Sequence, residues 1–370
     1  MDLLNALPEE IFNEIITYFN AKDVLKASLV SKRWYHMIGQ SKACMRKIST
    51  KYTQFNCKND VDPLLKSERR YQNLIIGFDH SRIKELGAEV NIRAILKKFS
   101  KSLCTIKTSH DFQRICELPN LKELKFKNFS FLRNRTRIHA NYFCTNGLLS
   151  RSTNLRKLNI QCGEMNIKSQ KIFIESLKNM EKLKSLTLNQ LDILEHLHAT
   201  DFKFKLEEIN IFGFLFSFWY SIDTIYDFLR IHRSTLKIVR LDRLRFDDVV
   251  FFLSEFPKMH TFHFRQITSN PRNARLNIPV NTTLKKLIIA CAVQSSEMRL
   301  KLSQIMVSCK NLKELKVHLL HLRFIDVLPA CPLLNKVEYC FLSKFTTPNV
   351  KNYITNNRRI EFHSNPFSCT

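Results

Sequence analysis

The chain has 370 residues, 44% of them hydrophobic and 25% charged, which is typical of a globular protein with one small module and one large domain. No run of 18 uncharged apolar residues occurs, so the sequence predicts no membrane-spanning helix. The N-terminus carries the acidic residues Asp2, Glu9 and Glu10 and no basic stretch followed by an apolar segment, so we expect no secretory signal and a cytoplasmic or nuclear location. The net charge of +26 favours acidic partners.

The first 45 residues show the periodicity of short amphipathic helices. Apolar residues recur at every fourth position, at Leu7, Ile11, Ile15 and Phe19. Pro8 fits the start of the first helix, because its missing N–H would be unpaired there. Further helices are predicted over 23–30 and 32–38. Three helices of this length have too little interior to bury all their apolar residues, so one face needs a partner.

These helices resemble the F-box, the module by which substrate receptors dock on the Skp adaptor of cullin-based (SCF) ubiquitin ligases. The departure is Ser31, where the family often has a cysteine of similar size. The resemblance implies a set of adaptor-binding residues: Leu7, Pro8, Ile11, Ile15, Phe19, Leu25, Leu29, Val30 and Trp34. The alternative is an ordinary helical cap on a larger domain.

A repeat with the pattern Leu-x-x-Leu-x-apolar fills the rest of the chain. Nine clear copies begin between residues 121 and 334, spaced 22 to 34 residues apart, with helix-like stretches between them. One strand–turn–helix unit cannot bury its own apolar face, whereas a stack of units forms a continuous core. Together with the N-terminal helices, the repeats resemble the F-box/leucine-rich-repeat family along nearly the whole chain.

The predicted fold is therefore α/β, with a three-helix F-box followed by a curved leucine-rich-repeat solenoid. Its parallel strands would form the concave face and its helices the convex side. The expected boundaries are 1–48 for the F-box, 49–70 for a connecting segment and 71–370 for the solenoid, with an insertion at about 127–154 and a C-terminal cap.

Alternation along the strands predicts which side chains face the concave surface. Carried through nine copies, this face holds 27 positions with eight basic and five acidic residues, a net charge of only +3. The candidate substrate contacts are Thr187, Asn189, Asn210, Phe212, Ile238, Arg240, His263 and Arg265. Phe212 and Ile238 would anchor a protein partner or, alternatively, pack against neighbouring concave side chains.

The positive charge is concentrated in two zones. Residues 121–160 carry nine basic side chains and one acidic, and residues 261–370 carry 16 and five, whereas residues 161–260 balance at 14 each. Within the insertion, basic residues lie among aromatics, which fits a segment that holds phosphates or single-stranded nucleic acid, or else a solvated loop. We would first expect an acidic or phosphorylated peptide there, since arginine matches phosphate geometry.

Motifs for catalysis are missing from the sequence. The six glycines are too far apart for a phosphate-cradling loop, and no Gly-x-Ser-x-Gly occurs. The paired histidines lack cysteine or carboxylate neighbours at ligand spacing, so no metal and no cofactor are expected.

The sequence thus predicts a non-catalytic substrate receptor of an SCF ubiquitin ligase. Its partners would be the Skp adaptor, through it the cullin scaffold, and a protein target that is acidic or phosphorylated. Membranes are not expected as partners, and nucleic acid is disfavoured because the concave face carries little net charge. The alternatives are a repeat scaffold that binds nucleic acid or another acidic partner, and an adaptor-bound regulator of assembly that directs no ubiquitination.

Overall fold

A computed structural model gives the fold of the chain. It describes residues 7–53, 61–78, 88–109, 111–127, 143, 146–161, 166–189, 202–212, 222–268, 278–290, 296–320, 322–342, 347–357 and 359–364. By its contacts the chain forms two compact units, Met1–Lys184 with Thr200–Phe204, and Ser185–Ala199 with Lys205–Thr370.

Four short helices open the first unit, one more than the sequence predicted. They are α1 (Glu9–Thr17), α2 (Ala21–Ala27), α3 (Lys32–Gln40) and α4 (Lys42–Lys47). Polar side chains fix where three of them begin: Asn20 accepts hydrogen bonds from backbone N–H groups of α2, Ser31 from α3 and Ser41 from α4. These caps keep the helices short and allow the chain to reverse direction between them.

Parallel strands then alternate with helices. In the first unit they are β1 (Ser49–Thr53), α5 (Val61–Lys66), β2 (Asn73–Gly77), α6 (Ala88–Phe99), β3 (Thr105–Thr108), β4 (Glu123–Lys127), β5 (Lys157–Gln161) and α7 (Ile167–Lys178). In the second unit they are β6 (Ser185–Leu188), β7 (Glu208–Ile211), α8 (Ile222–Arg230), β8 (Ile238–Arg245), α9 (Phe246–Glu255), β9 (Thr261–Thr268), β10 (Lys286–Ile289), α10 (Ser296–Ser308), β11 (Glu314–Leu320), α11 (Leu322–Val327), the 3-10 helix Leu328–Ala330, β12 (Lys336–Leu342), α12 (Thr347–Asn356) and β13 (Glu361–Ser364).

Within each unit every strand pairs in parallel with the strand that follows it in sequence. The register aligns the repeat leucines, so that Leu124 lies beside Leu158 in the first unit and Leu186 beside Ile209 in the second. These side chains are buried, and they build the apolar interior that the repeat pattern predicts.

The parallel sheet of the first unit begins earlier in the sequence than the repeat pattern indicates. Strand β1 lies within 49–70, the stretch expected to connect the two domains, and pairs with β2 from Ser49 beside Asn73 to Thr53 beside Gly77. Its Tyr52 is fully buried and packs against Phe78 at a ring-centroid distance of 5.3 Å. The four helices therefore run directly into the sheet of the first unit. Within the described parts of the chain, every helix is too short or too polar to cross a bilayer.

Candidate functional site

The N-terminal helices pack around a small apolar core. It consists of Phe12, Ile16, Val24, Ala27, Trp34, Ile38, Cys44, Met45 and Ile48. Trp34 is only 6% exposed, and its ring meets Phe12 edge-on at a centroid distance of 5.1 Å. The sequence placed Trp34 among the adaptor contacts. Its position in this core instead makes it a residue that holds the helices together, because its ring is already covered by other side chains.

A second set of apolar side chains points away from this core. Ile11 and Tyr18 on α1 are 49% and 82% exposed. Leu25 on α2 is 42% exposed, while Leu29 and Val30, in the turn after α2, are 83% and 57% exposed. Leaving such side chains in water forgoes about 1.5–3 kcal/mol each relative to full burial. Sequence analysis missed Tyr18, which extends the predicted set.

The remaining predicted contacts lie between these two sets. Leu7 and Phe19 are half-buried against the core cluster, and Ile15 is also half-buried. Pro8 is exposed and directly precedes α1, as its missing N–H predicts. The structure thus places eight of the nine predicted adaptor residues at least partly in solvent.

Hydrogen bonds connect the helices to the first strands. Lys47 at the end of α4 donates through Nζ to the carbonyls of Ile16, Thr17 and Phe19 at 2.9, 2.7 and 2.5 Å, closing the C-terminal end of α1. Asn73 at the start of β2 donates through Nδ2 to the Arg46 carbonyl at 2.8 Å. These hydrogen bonds link α1 to α4, and α4 to the first strands of the unit.

The predicted substrate face of the second unit contains a polar network across three strands. Ser185 Oγ donates to Glu208 Oε2 at 3.1 Å, and Arg240 forms an ion pair with Glu208. Arg240 Nη1 also donates to Asn210 Oδ1 at 2.7 Å, and Asn210 Nδ2 donates to Thr187 Oγ1 at 2.9 Å. Burial raises the pKa of Glu208, but hydrogen bonds and the charge of Arg240 outweigh burial and lower the pKa below its usual value.

Two of the predicted substrate contacts, Thr187 and Asn210, are held inside this network. Thr187 and Asn210 are 6% and 7% exposed, and they hydrogen-bond to each other. They therefore stiffen this face and offer little area to a partner. Asn189 and Ile238 remain half-buried beside them.

Next to the network lies an aromatic and basic cluster. The Arg265 guanidinium lies 5.1 Å from the centroid of the Phe212 ring, and Arg265 Nε lies 3.7 Å from Asp242 Oδ1. Desolvation, followed by the charges of Arg265 and Arg240, lowers the pKa of His263 to about 4. At neutral pH this part of the face therefore presents a neutral imidazole, a guanidinium and an aromatic ring.

The basic insertion is only partly described by the structure. Phe143 packs on Phe126 and Phe173 at centroid distances of 5.1 and 5.7 Å, and Arg151 Nη1 donates to the Ile115 carbonyl at 3.0 Å. The arginines at 133, 135 and 137 lie outside the described residues. Among the described residues, no three histidine, cysteine or carboxylate side chains lie close enough together to hold a metal ion.

Comparison with known proteins identifies one domain. Residues 4–43 match the family model of the F-box domain. No similar curated protein was found. Among solved structures, the crystal structure of a protein from Bacteroides fragilis is similar over 88% of this chain and 76% of that chain, with 13% identity and a TM-score of 0.37. The N-terminal helices are therefore an F-box, the type of domain that binds the Skp adaptor within SCF ubiquitin ligases.

Proposed function

We propose that the chain is a substrate-recognition subunit of an SCF-type ubiquitin ligase, with the F-box on the Skp adaptor and a target protein on the repeats. The F-box match over residues 4–43 carries this proposal. The exposed apolar side chains of α1 and α2 support it, because their burial against a partner would recover the free energy that exposure forgoes. The cullin scaffold would be reached through the adaptor.

In this function the chain itself catalyses nothing. It would hold a target close to the subunits that carry ubiquitin, and so raise the effective concentration of the target's lysines. Because the F-box is hydrogen-bonded to the start of β2, through Asn73, this connection is fixed rather than flexible. A fixed connection loses less entropy when the complex forms.

The adaptor role is tested by binding of the purified full chain to purified Skp adaptor. Leu29→Ser should weaken binding by at least tenfold, since burying a leucine side chain that is 83% exposed in the free chain contributes about 1.5–3 kcal/mol. Ile167→Ser is the matched control, because Ile167 is 70% exposed at the start of α7 and lies outside the F-box. Equal affinity of the Leu29 variant and wild type would contradict docking through this surface.

The target is proposed to bind the strand face of the second unit around Phe212, Ile238 and Arg265. Support comes from the half-buried apolar side chains there, together with an arginine that can pair with an acidic or phosphorylated segment. Asn189, Arg240 and His263 belong to the same predicted contact set, whereas its other two members, Thr187 and Asn210, are buried in the network.

This surface can be tested by comparing the ubiquitinated proteins of cells that express wild type or Phe212→Ser/Ile238→Ser. We expect the double variant to lose a defined group of ubiquitinated proteins while it still captures the adaptor. If the same proteins remain ubiquitinated, the target binds elsewhere on the chain.

A further inference from the structure

A cavity of about 200 Å³ lies in the first unit, where α4 of the F-box meets the residues that precede β2, β3 and β4. Five cationic side chains line it: Lys42, Arg46, Arg70, Lys101 and Lys122. Lys42 and Arg46 come from α4, and the other three come from the segments just before successive strands. None of the adaptor-binding residues discussed above belongs to this cavity.

The five cations of this cavity are exposed and have no acidic side chain beside them in its lining. No carboxylate lines it, and none of its five cations is ion-paired within the described part of the chain. Other basic residues of the repeats do have acidic partners, such as Lys125 with Glu123 at 2.8 Å and Lys237 with Glu207 at 2.8 Å. Like charges gathered around one small volume repel each other, and an anion between them removes that repulsion.

Backbone hydrogen bonds hold the basic segments in place. The Arg70 N–H donates to the Gly39 carbonyl at 3.0 Å, and the Lys122 N–H donates to the Cys104 carbonyl at 2.8 Å. Asn120 Nδ2 donates to the Lys101 carbonyl at 2.7 Å. The cations therefore project from a framework that is already formed, which reduces the entropy lost when they close on a ligand.

A neutral buried group completes the site. Gln72 is 5% exposed and donates through Nε2 to the Lys42 carbonyl at 3.3 Å. Its Oε1 is buried without a hydrogen-bond donor among the described residues. A buried acceptor in this state costs free energy unless a ligand or water supplies an O–H or N–H. An anion that also carries a hydroxyl or amino group would satisfy it.

We propose that this cavity binds a compact oligophosphate, the pyrophosphate or triphosphate portion of a small metabolite. Arg46 and Arg70 supply planar forks that match phosphate oxygens, and the three lysines supply point charges around them. Several adjacent phosphates suit five cations better than a single phosphate does. The ligand would bridge the F-box and the first repeats, since α4 contributes two of the cations.

The test is isothermal titration of the purified full chain with inorganic tripolyphosphate at physiological salt. Lys101→Gln/Lys122→Gln removes two cavity charges, and Lys258→Gln/Lys313→Gln removes two exposed charges of the second unit that do not line the cavity. We expect binding to wild type and the second variant with equal affinity, and at least tenfold weaker binding to the first. An equal loss in both variants, or no binding to wild type, would overturn the proposal.

Two further titrations, one with sulfate and one with a phosphorylated peptide, distinguish an oligophosphate from other anionic ligands. Sulfate at the same ionic strength should fail to displace tripolyphosphate, because its two charges cannot engage all five cations. A phosphorylated peptide that binds more tightly than tripolyphosphate, and loses binding in the cavity variant, would show that the site serves a protein partner and overturn the small-anion assignment. The adaptor-binding variant Leu29→Ser should bind tripolyphosphate normally, so this test is independent of the proposed ligase role.

Discussion

Trp34 and Leu29 show how two apolar residues of one short motif take opposite roles. Both belong to the residue set that the F-box resemblance assigned to adaptor binding. The structure buries Trp34 against Phe12 and leaves Leu29 83% exposed. One side chain therefore stabilises the fold of the F-box, and the other is available to a partner.

Truncating these two side chains should separate stability from binding. Trp34→Ala is expected to lower the free energy of unfolding by about 3–5 kcal/mol, because it leaves a cavity in the F-box core. Leu29→Ala should change it by no more than about 0.5 kcal/mol. Urea denaturation, followed by far-UV circular dichroism because one variant lacks Trp34, measures the free energy of unfolding of both variants. A similar loss of stability in the two variants would show that Leu29 is packed in solution.

His232 provides a pH-dependent contribution to stability. It is fully buried, its Nδ1 accepts a hydrogen bond from the Leu206 N–H at 3.4 Å, and burial followed by the charge of Lys205 lowers its pKa to about 4. Protonation would remove the acceptor and bury a charge. Between about pH 6.5 and 4 the unfolded chain therefore binds a proton that the folded chain does not, so stability falls as the pH falls.

Replacing this histidine should flatten the acid side of the stability profile. The wild type is expected to lose roughly 3 kcal/mol between pH 7 and 4 through this group, and His232→Gln should lack that part of the decline. Urea midpoints at pH 7, 5.5 and 4.5 measure the two slopes. If the urea midpoints of wild type and His232→Gln fall equally with pH, burial of His232 does not contribute to the pH dependence of stability.

At the scale of helices and strands, periodicity predicted the repeats well. The strands expected from the nine motif copies are present, and helices α7 to α10 lie between them, where helix-like stretches were expected. Strand β1 was not predicted, because Ser49–Thr53 lacks the motif and forms a strand through its pairing with β2. That the repeats are of the leucine-rich class stays a prediction.

The faces of α1 could not be settled from the sequence. Ile11 and Ile15 form one apolar row, and Phe12 and Ile16 form another about 100° away around the helix. Both rows fit a core equally well, and only packing with α2, α3 and α4 decides that Phe12 and Ile16 face inward. The predicted adaptor-binding set, which included Trp34 of α3 and omitted Tyr18, stays a prediction.

The end of α1 depends on a residue from another helix. α1 has no basic residue in its own last turn, and Lys47 of α4 donates to three carbonyls there. Lys47→Met should lower the free energy of unfolding by about 1–3 kcal/mol, since those carbonyls lose a charged donor. Lys22→Met, at an exposed position of α2, is the control and should stay within about 0.5 kcal/mol. Thermal or urea unfolding measures the free energy of unfolding of both variants. Equal values for the two variants would contradict this capping role.

For the whole chain, the net charge of +26 is the property that most needs an explanation. On the strand face of the second unit, acidic partners offset part of it, as in Arg240 with Glu208 and Arg265 with Asp242. In the first unit, the cavity beside α4 collects five cations without a carboxylate. The excess charge at this cavity is thus available to an acidic ligand. The net charge of the whole chain also raises encounter rates with any acidic partner.

Salt dependence distinguishes adaptor docking from the alternative of a nucleic-acid scaffold. Docking through Ile11, Leu25, Leu29 and Val30 buries apolar surface, so we expect adaptor affinity to change less than about threefold between 50 and 200 mM salt. Binding to a DNA duplex of mixed sequence through many phosphates would instead fall by about 10³–10⁵ over that interval. Leu29→Ser should weaken the salt-resistant binding by at least tenfold and leave any DNA binding unchanged, because it removes no charge. If adaptor capture fell as steeply with salt as DNA binding, and survived Leu29→Ser, the charged zones rather than the F-box surface would be the main interaction site of this chain.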